Sequence, residues 1–293
     1  MSSVLFDVPG PRAVRRGRII GAVTILVVAA IFAFIIYRFY DTGQFTAKKW
    51  ELFSFPYVQG QIVEAMLNTL RAFAVAAVLS LVLGLILVIG RLSVHKWISG
   101  PCIAFIELFR AIPLLILMMI MYYGLPPLGV SFVTPFVAVV TGLTLYNGAV
   151  LSEVFRAGIE SLPKGQSEAA YAIGLRKSQV LRMILMPQAL RAMAPVIVSQ
   201  LVVVLKDTAL GFIVTYQELL YTAKQLGGQF QFDSPIIPST IVIATIYISL
   251  CLVLAGVAKL IEIRTRSARS GKNGKKKGQA PVVLEGGAVL PVK

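Results

Sequence analysis

The chain has 293 residues, 57% of them hydrophobic and 14% charged, with a mean hydropathy of +0.81. That much apolar surface exceeds what one soluble core of this size encloses, so an ordinary soluble domain is excluded and a bilayer is indicated as solvent. The net charge of +15 would suit nucleic acid, but the basic residues follow the apolar runs and lack interleaved aromatics, which excludes nucleic acid as a partner.

Residues 1–18 form a basic N-terminus carrying Arg12, Arg15, Arg16 and Arg18. The first apolar run, Ile19–Tyr37, has the charge pattern of a signal peptide. It is long for one, however, and ends in Tyr37, Arg38 and Phe39 where a cleavage site needs small residues, so it reads as a retained helix. After a connection over 38–59, five further apolar runs follow: Ala72–Ile89, Ile103–Tyr123, Phe132–Leu151, Pro195–Thr215 and Ile236–Ile261. About 20 apolar residues cross a hydrocarbon layer as a helix, which satisfies every backbone group internally. The prediction is an all-α integral membrane protein with six spans. Residues 264–293 are rich in Gly, Lys and Arg and read as a disordered basic tail that attracts anionic lipid headgroups.

Cys102 and Cys251 lie in or beside apolar runs and read as small buried hydrophobes, and His95 has no ligand cluster around it. No metal site is expected. No internal repeat of the kind used by many secondary transporters is visible.

Twenty of the 28 Lys and Arg residues lie before the first span, after the second, between Arg156 and Arg191, or after the last. Because positive residues collect on the cytoplasmic side, both termini and the segment 156–191 are expected inside. Within that segment, "EAAYAIGLRKSQVLRMILMP" (Glu168–Pro187) has helical grammar. Ser161 and Pro163 suit a start, the alanines propagate a helix, Gly174 suits a stop, and Ser178 to Pro187 suits a second short helix. By physics alone the pair either rests on headgroups or docks another protein.

The order of residues resembles a family. Glu168, Ala169, Ala170, Gly174, Ile184 and Pro187 reproduce the EAA loop, E-A-A-x3-G-x9-I-x-L-P, of ABC importer permeases, with Met186 where the pattern has Leu. The stretches Glu107–Pro126, Leu145–Gln166 and Leu205–Leu220 resemble polar amino-acid uptake permeases of the glutamate, glutamine, histidine and arginine type, and in particular glutamate permeases of actinobacterial type. The likeness covers about 60–263, which then forms a transmembrane domain of the type I ABC importer fold; the N-terminal helix is extra to it. The resemblance implies that the six motif residues couple to a separate dimer of ATP-binding subunits, which holds the ATP and Mg. It further implies a second permease, homologous or identical, an extracytoplasmic solute-binding protein, and a multi-pass location in a bacterial cytoplasmic membrane. The chain has no G-x-x-x-x-G-K-[ST] phosphate loop, so no nucleotide site, cofactor or enzymatic activity of its own is expected.

Ionisable groups inside spans are costly and mark pairs or paths. Glu107 with Arg110, and Glu153 with Arg156, have the spacing of intrahelical ion pairs with structural or gating roles. Lys206, Asp207 and Thr208 fall inside an apolar run; they would either pair with neighbouring helices or, if the helix is interrupted there, meet the two charges of an amino acid. Asn147 and Tyr122 are further path candidates. The function expected is ATP-driven import of a polar amino acid, with glutamate favoured. The rivals are an ion-coupled secondary transporter and a membrane scaffold.

Overall fold

The computed structural model describes residues 10–273. The described residues are helical, with no strand among them. Five helices are long and apolar enough to cross a membrane, six if one bent pair is a single span. The described residues divide into two compact units, 10–62 with 223–242, and 63–222 with 243–273.

In the first unit, α1 (Pro11–Asp41) starts within the basic N-terminal segment, with Pro11 at a position where its missing N–H costs nothing. Its apolar window has a mean hydropathy of 3.1, is 0% buried by protein, and is long and apolar enough to cross a membrane. The connection over 38–59 contains the short α2 (Ala47–Glu51) and the turn Leu52–Ser54. Leu52 and Val58 pack with Leu226 and Phe232, and an exposed ion pair joins Lys48 Nζ to Asp233 Oδ1 at 2.8 Å.

Helix α3 (Pro56–Arg91) begins well before the expected Ala72, because the polar stretch preceding the apolar run continues the same helix. The third expected span is broken. Helix α4 (Lys96–Ala111) and helix α5 (Leu114–Met119) with its π turn Ile120–Gly124 meet at 100°. Ile112 is extended (ψ 126) because the following Pro113 disfavours helical backbone in the residue before it.

Helix α6 (Pro135–Glu160) is the centre of the second unit, packing against α4 and α5. Thr134 Oγ1 caps it by accepting the Val137 N–H at 3.3 Å. Its window is 56% buried at a mean hydropathy of only 1.4, since protein neighbours and not lipid surround it. Gly142 and Gly148 allow that closeness: a Cβ would meet Met118 Cγ at 2.8 Å in the first case and Leu83 Cδ2 at 2.7 Å in the second.

Helix α7 (Lys164–Ala172) is the first of the two short helices expected after span four. The second does not exist as a separate element. Helix α8 (Lys177–Gln179), a π turn Val180–Leu185 and α9 (Met186–Asp207), which packs on α6, form one helical run continuing as a 3-10 helix over Thr208–Val214. Pro187 neither ends nor separates it, because the widened π turn precedes the ring and absorbs the carbonyl clash that proline makes inside an α-helix. Helices α10 (Leu219–Gly227) and α11 (Ile236–Asn273) complete the fold. The latter extends into the tail expected to be disordered from Arg264; residues 274–293 of that tail lie outside the described residues.

Candidate functional site

The motif segment is built around the end of α7. Gly174 has φ +85, with its N–H donating to Tyr171 O at 2.9 Å while the Leu175 N–H donates to Ala170 O at 3.2 Å. This double closure needs a residue in the left-handed region, which explains glycine at the fourth motif position. Glu168 and Ala169 are exposed, whereas Ala170 is buried. Gln188 Nε2 donates to Gln166 Oε1 at 2.6 Å and to Ile184 O at 2.9 Å, tying α7 to the start of α9. Met186 is buried with Leu181, Ala189, Phe155 and Ile159, so the departure from the pattern is a core residue under the loop. Pro187 is exposed and Ile184 half-buried. Gln166 and Gln188 were not singled out in the sequence, where a glutamine pair 22 apart carries no signal.

Beside this segment Glu153 collects cations from three helices. Arg91 at the end of α3 binds its Oε1, Arg156 Nε lies 2.9 Å from Oε2, and Arg110 Nη1 approaches Oε1 at 3.8 Å. Arg156 also reaches Glu160 at 2.6 Å. The expected Glu107–Arg110 pair is not formed, because Arg110 lies against Glu153. Arg91 was visible only as one charge in a topology count.

The path candidates fall into two groups. Lys206 is exposed and lines a cavity of about 430 Å³ with Ala209, Tyr247, Ile248, Cys251 and Leu252. Neither Lys206 nor Asp207 makes an ion pair among the described residues, and α9 gives way to the 3-10 helix immediately after them. The other candidates are tied into the packing. Asn147 Nδ2 donates to Leu143 O at 3.0 Å, and its Oδ1 accepts from Gln200 Nε2 at 2.9 Å, clasping α6 to α9. The hydroxyl of Tyr122 accepts from Thr215 Oγ1 at 3.1 Å. Thr208 is buried, donates to Leu205 O at 2.6 Å and sits 3.2 Å from the Tyr247 hydroxyl.

That hydroxyl leads to a residue sequence reading missed. Glu218 has 0% exposure. Its Oε2 accepts from the Leu220 N–H at 2.8 Å and from Tyr247 O–H at 2.9 Å, and its Oε1 accepts from the Tyr221 N–H at 2.7 Å. It caps α10 with a carboxylate, and among the described residues it makes no ion pair. Burial pushes its carboxyl up to about 7, against the opposing effect of those three donors. Tyr247 therefore has its ring on the Lys206 cavity and its hydroxyl on Glu218 and Thr208. The signal in sequence was an acid just before an apolar helix, and Glu is not among the strong capping residues.

The described residues thus form an all-helical membrane domain with a helical loop between two of its apolar helices. Residues 76–267 match the family described as "Binding-protein-dependent transport system inner membrane component", and the chain belongs to that family. It is 39% identical to the glutamate transport system permease protein GluD of Corynebacterium glutamicum, over 79% of this chain and 85% of that protein. It is 35% identical to the probable glutamine ABC transporter permease protein GlnP of Bacillus subtilis, over 69% and 92%. Among solved structures, one titled as an amino acid ABC transporter with histidines matches at a TM-score of 0.65 and 26% identity, covering 73% of this chain and 98% of that one. The fold is thus that of ABC importer permeases, and the chain is a multi-pass protein of the bacterial cytoplasmic membrane.

Proposed function

We propose that the chain is the permease subunit of an ATP-driven importer that moves a polar amino acid, with glutamate favoured, into the cytoplasm. Its termini and α7 face inward. Two ATP-binding subunits, a second permease and an extracytoplasmic solute-binding protein complete the assembly. ATP and Mg stay on the ATP-binding subunits. The observation that carries this reading is α7 itself: a helix closed by Gly174, pinned by Gln166–Gln188, and presenting Glu168 and Ala169 outward. A rigid knob of this kind transmits motion of a docked subunit to α9, which continues from the same loop as a span. The relatives named for glutamate and glutamine support the substrate class.

At the other end of that run, Lys206 supplies the cation for a substrate carboxylate from the wall of its cavity. Asp207 and Thr208 follow it where the helix changes type, with Thr208 holding the turn and Asp207 offered to the ammonium. Asn147 and Tyr122 support the path from behind through their packing bonds. Glu153 with its arginines anchors the inner helix ends against the moving loop.

The test is reconstitution with the ATP-binding subunit and the binding protein. Glu168→Lys should abolish substrate-stimulated ATP hydrolysis, whereas Lys206→Met should lower uptake with the complex still assembled. Normal stimulation in Glu168→Lys would overturn the coupling role, and uptake driven by an ion gradient without ATP would replace the importer with a secondary transporter.

A further inference from the structure

A second cavity, of about 350 Å³, lies between the α3–α4 turn and the start of α8. Four basic side chains line it: His95 from the turn, and Arg176, Lys177 and Arg182 from the helical run. No acidic residue lines it, and among the described residues none of the four has an ion-pair partner. The three charges of Arg176, Lys177 and Arg182 gathered in one concavity repel each other, and they focus a positive potential that favours an anion. Ser93 and Ser178 add hydroxyls to the lining, and Ile89, Leu92, Val94 and Leu181 make the rest of it apolar. The site thus joins a basic rim to an apolar wall.

Its position selects the source of the anion. Helix α3, with an apolar window of mean hydropathy 3.0, ends at Arg91, so the turn that follows lies at the surface of the hydrocarbon layer. Trp97, two residues beyond His95, is 93% exposed, as is usual for a tryptophan at headgroup level. We propose that this cavity is a binding site for an anionic phospholipid, with the phosphate-bearing headgroup on Arg176, Lys177 and Arg182 and the first acyl carbons along Ile89 and Leu181. The inference rests on the membrane-spanning reading of the fold and not on ATP coupling, so the two fail separately.

Trp97 serves as reporter. With Trp50→Phe, it is the remaining tryptophan of the chain. Its quenching by brominated phosphatidylglycerol and by brominated phosphatidylcholine in reconstituted vesicles gives the relative affinity of the two lipids. The expected result is a preference for phosphatidylglycerol that falls about fivefold for each cation neutralised in Arg176→Gln, Lys177→Gln and Arg182→Gln. It should remain in Lys164→Gln and Arg191→Gln, which lie off the cavity. Equal quenching by the two lipids in the parent protein, which needs no cavity variant to fold, would overturn the proposal. So would a preference unchanged by the three substitutions, a preference removed by inorganic phosphate, which would make the site one for a free anion, or a preference removed by adding the ATP-binding subunit, which would make the cavity part of a protein interface.

Discussion

Glu153 and Glu218 show two ways of holding a carboxylate in one helical bundle. Glu153, at the α7 end of α6, is reached by Arg91, Arg110 and Arg156 and keeps partial access to solvent. Glu218 is fully enclosed and is held by two backbone N–H groups and the Tyr247 hydroxyl, with no ion pair among the described residues. The first joins helix ends by charge, in a place where water screens the pairs and lets them rearrange. The second fixes the chain between the 3-10 helix and α10 by directed hydrogen bonds that water does not contest. One carboxylate is therefore held by exchangeable ion pairs, and the other by a cap.

Removing the two side chains should separate these regimes. Glu218→Ala leaves three enclosed donors without an acceptor, and each unsatisfied group costs about 1 kcal/mol or more. Thermal unfolding of the detergent-solubilised protein should show a loss of roughly 3 kcal/mol, or about 6–12 °C. Glu153→Ala should cost only about 1 kcal/mol, because its partners regain water. Salt sharpens the contrast: raising ionic strength should shrink the Glu153→Ala difference and leave that of Glu218→Ala unchanged. Equal salt dependence in the two variants would break the distinction.

Glu218 should also make stability depend on pH, with a definite sign. Its carboxyl is pushed up from 4.5 to about 7, so between those values the folded chain binds more proton than the unfolded one. Stability is then fully present below about pH 4.5 and is lost as pH rises through about 7. The unfolding midpoint of the parent should fall across that window, and Glu218→Gln, which cannot titrate, should flatten the curve while lowering it. An unchanged slope in Glu218→Gln would place the titrating group elsewhere.

The two carboxylates also mark what could be read in the sequence. Glu153 was legible because an acid three residues before Arg156, at the end of an apolar run, has the spacing of an intrahelical ion pair, although its further partners, Arg91 and Arg110, come from helices whose ends meet only in the fold. Glu218 was not legible, since its role depends on Tyr247 arriving from α11. The same division holds for the spans. Apolar runs are local properties and located the five apolar helices and the bent pair, but the break at Ile112–Pro113 and the continuity through Pro187 depend on backbone torsions and a π turn that hydropathy does not register. In the EAA segment, the order of residues identified the loop, while the lock between Gln166 and Gln188 required the helices to be placed.

The smallest expected effect acts at the α7 end through backbone rather than charge. Gly174 has φ +85, and a Cβ there would meet nothing within 4 Å, so Gly174→Ala carries only the left-handed strain of an alanine, about 1 kcal/mol. That cost should be insensitive to salt, unlike that of Glu153→Ala beside it. It should fall on the closure of α7 and therefore on transmission more than on global stability. Substrate-stimulated ATP hydrolysis in the reconstituted complex should drop while the unfolding midpoint moves by no more than a few degrees. Gly174→Asn should recover most of that stimulation, because asparagine tolerates the left-handed region. If alanine and asparagine behaved alike, the conformation of this residue would not be what transmits the motion, and the exposed face carrying Glu168 would have to do so alone.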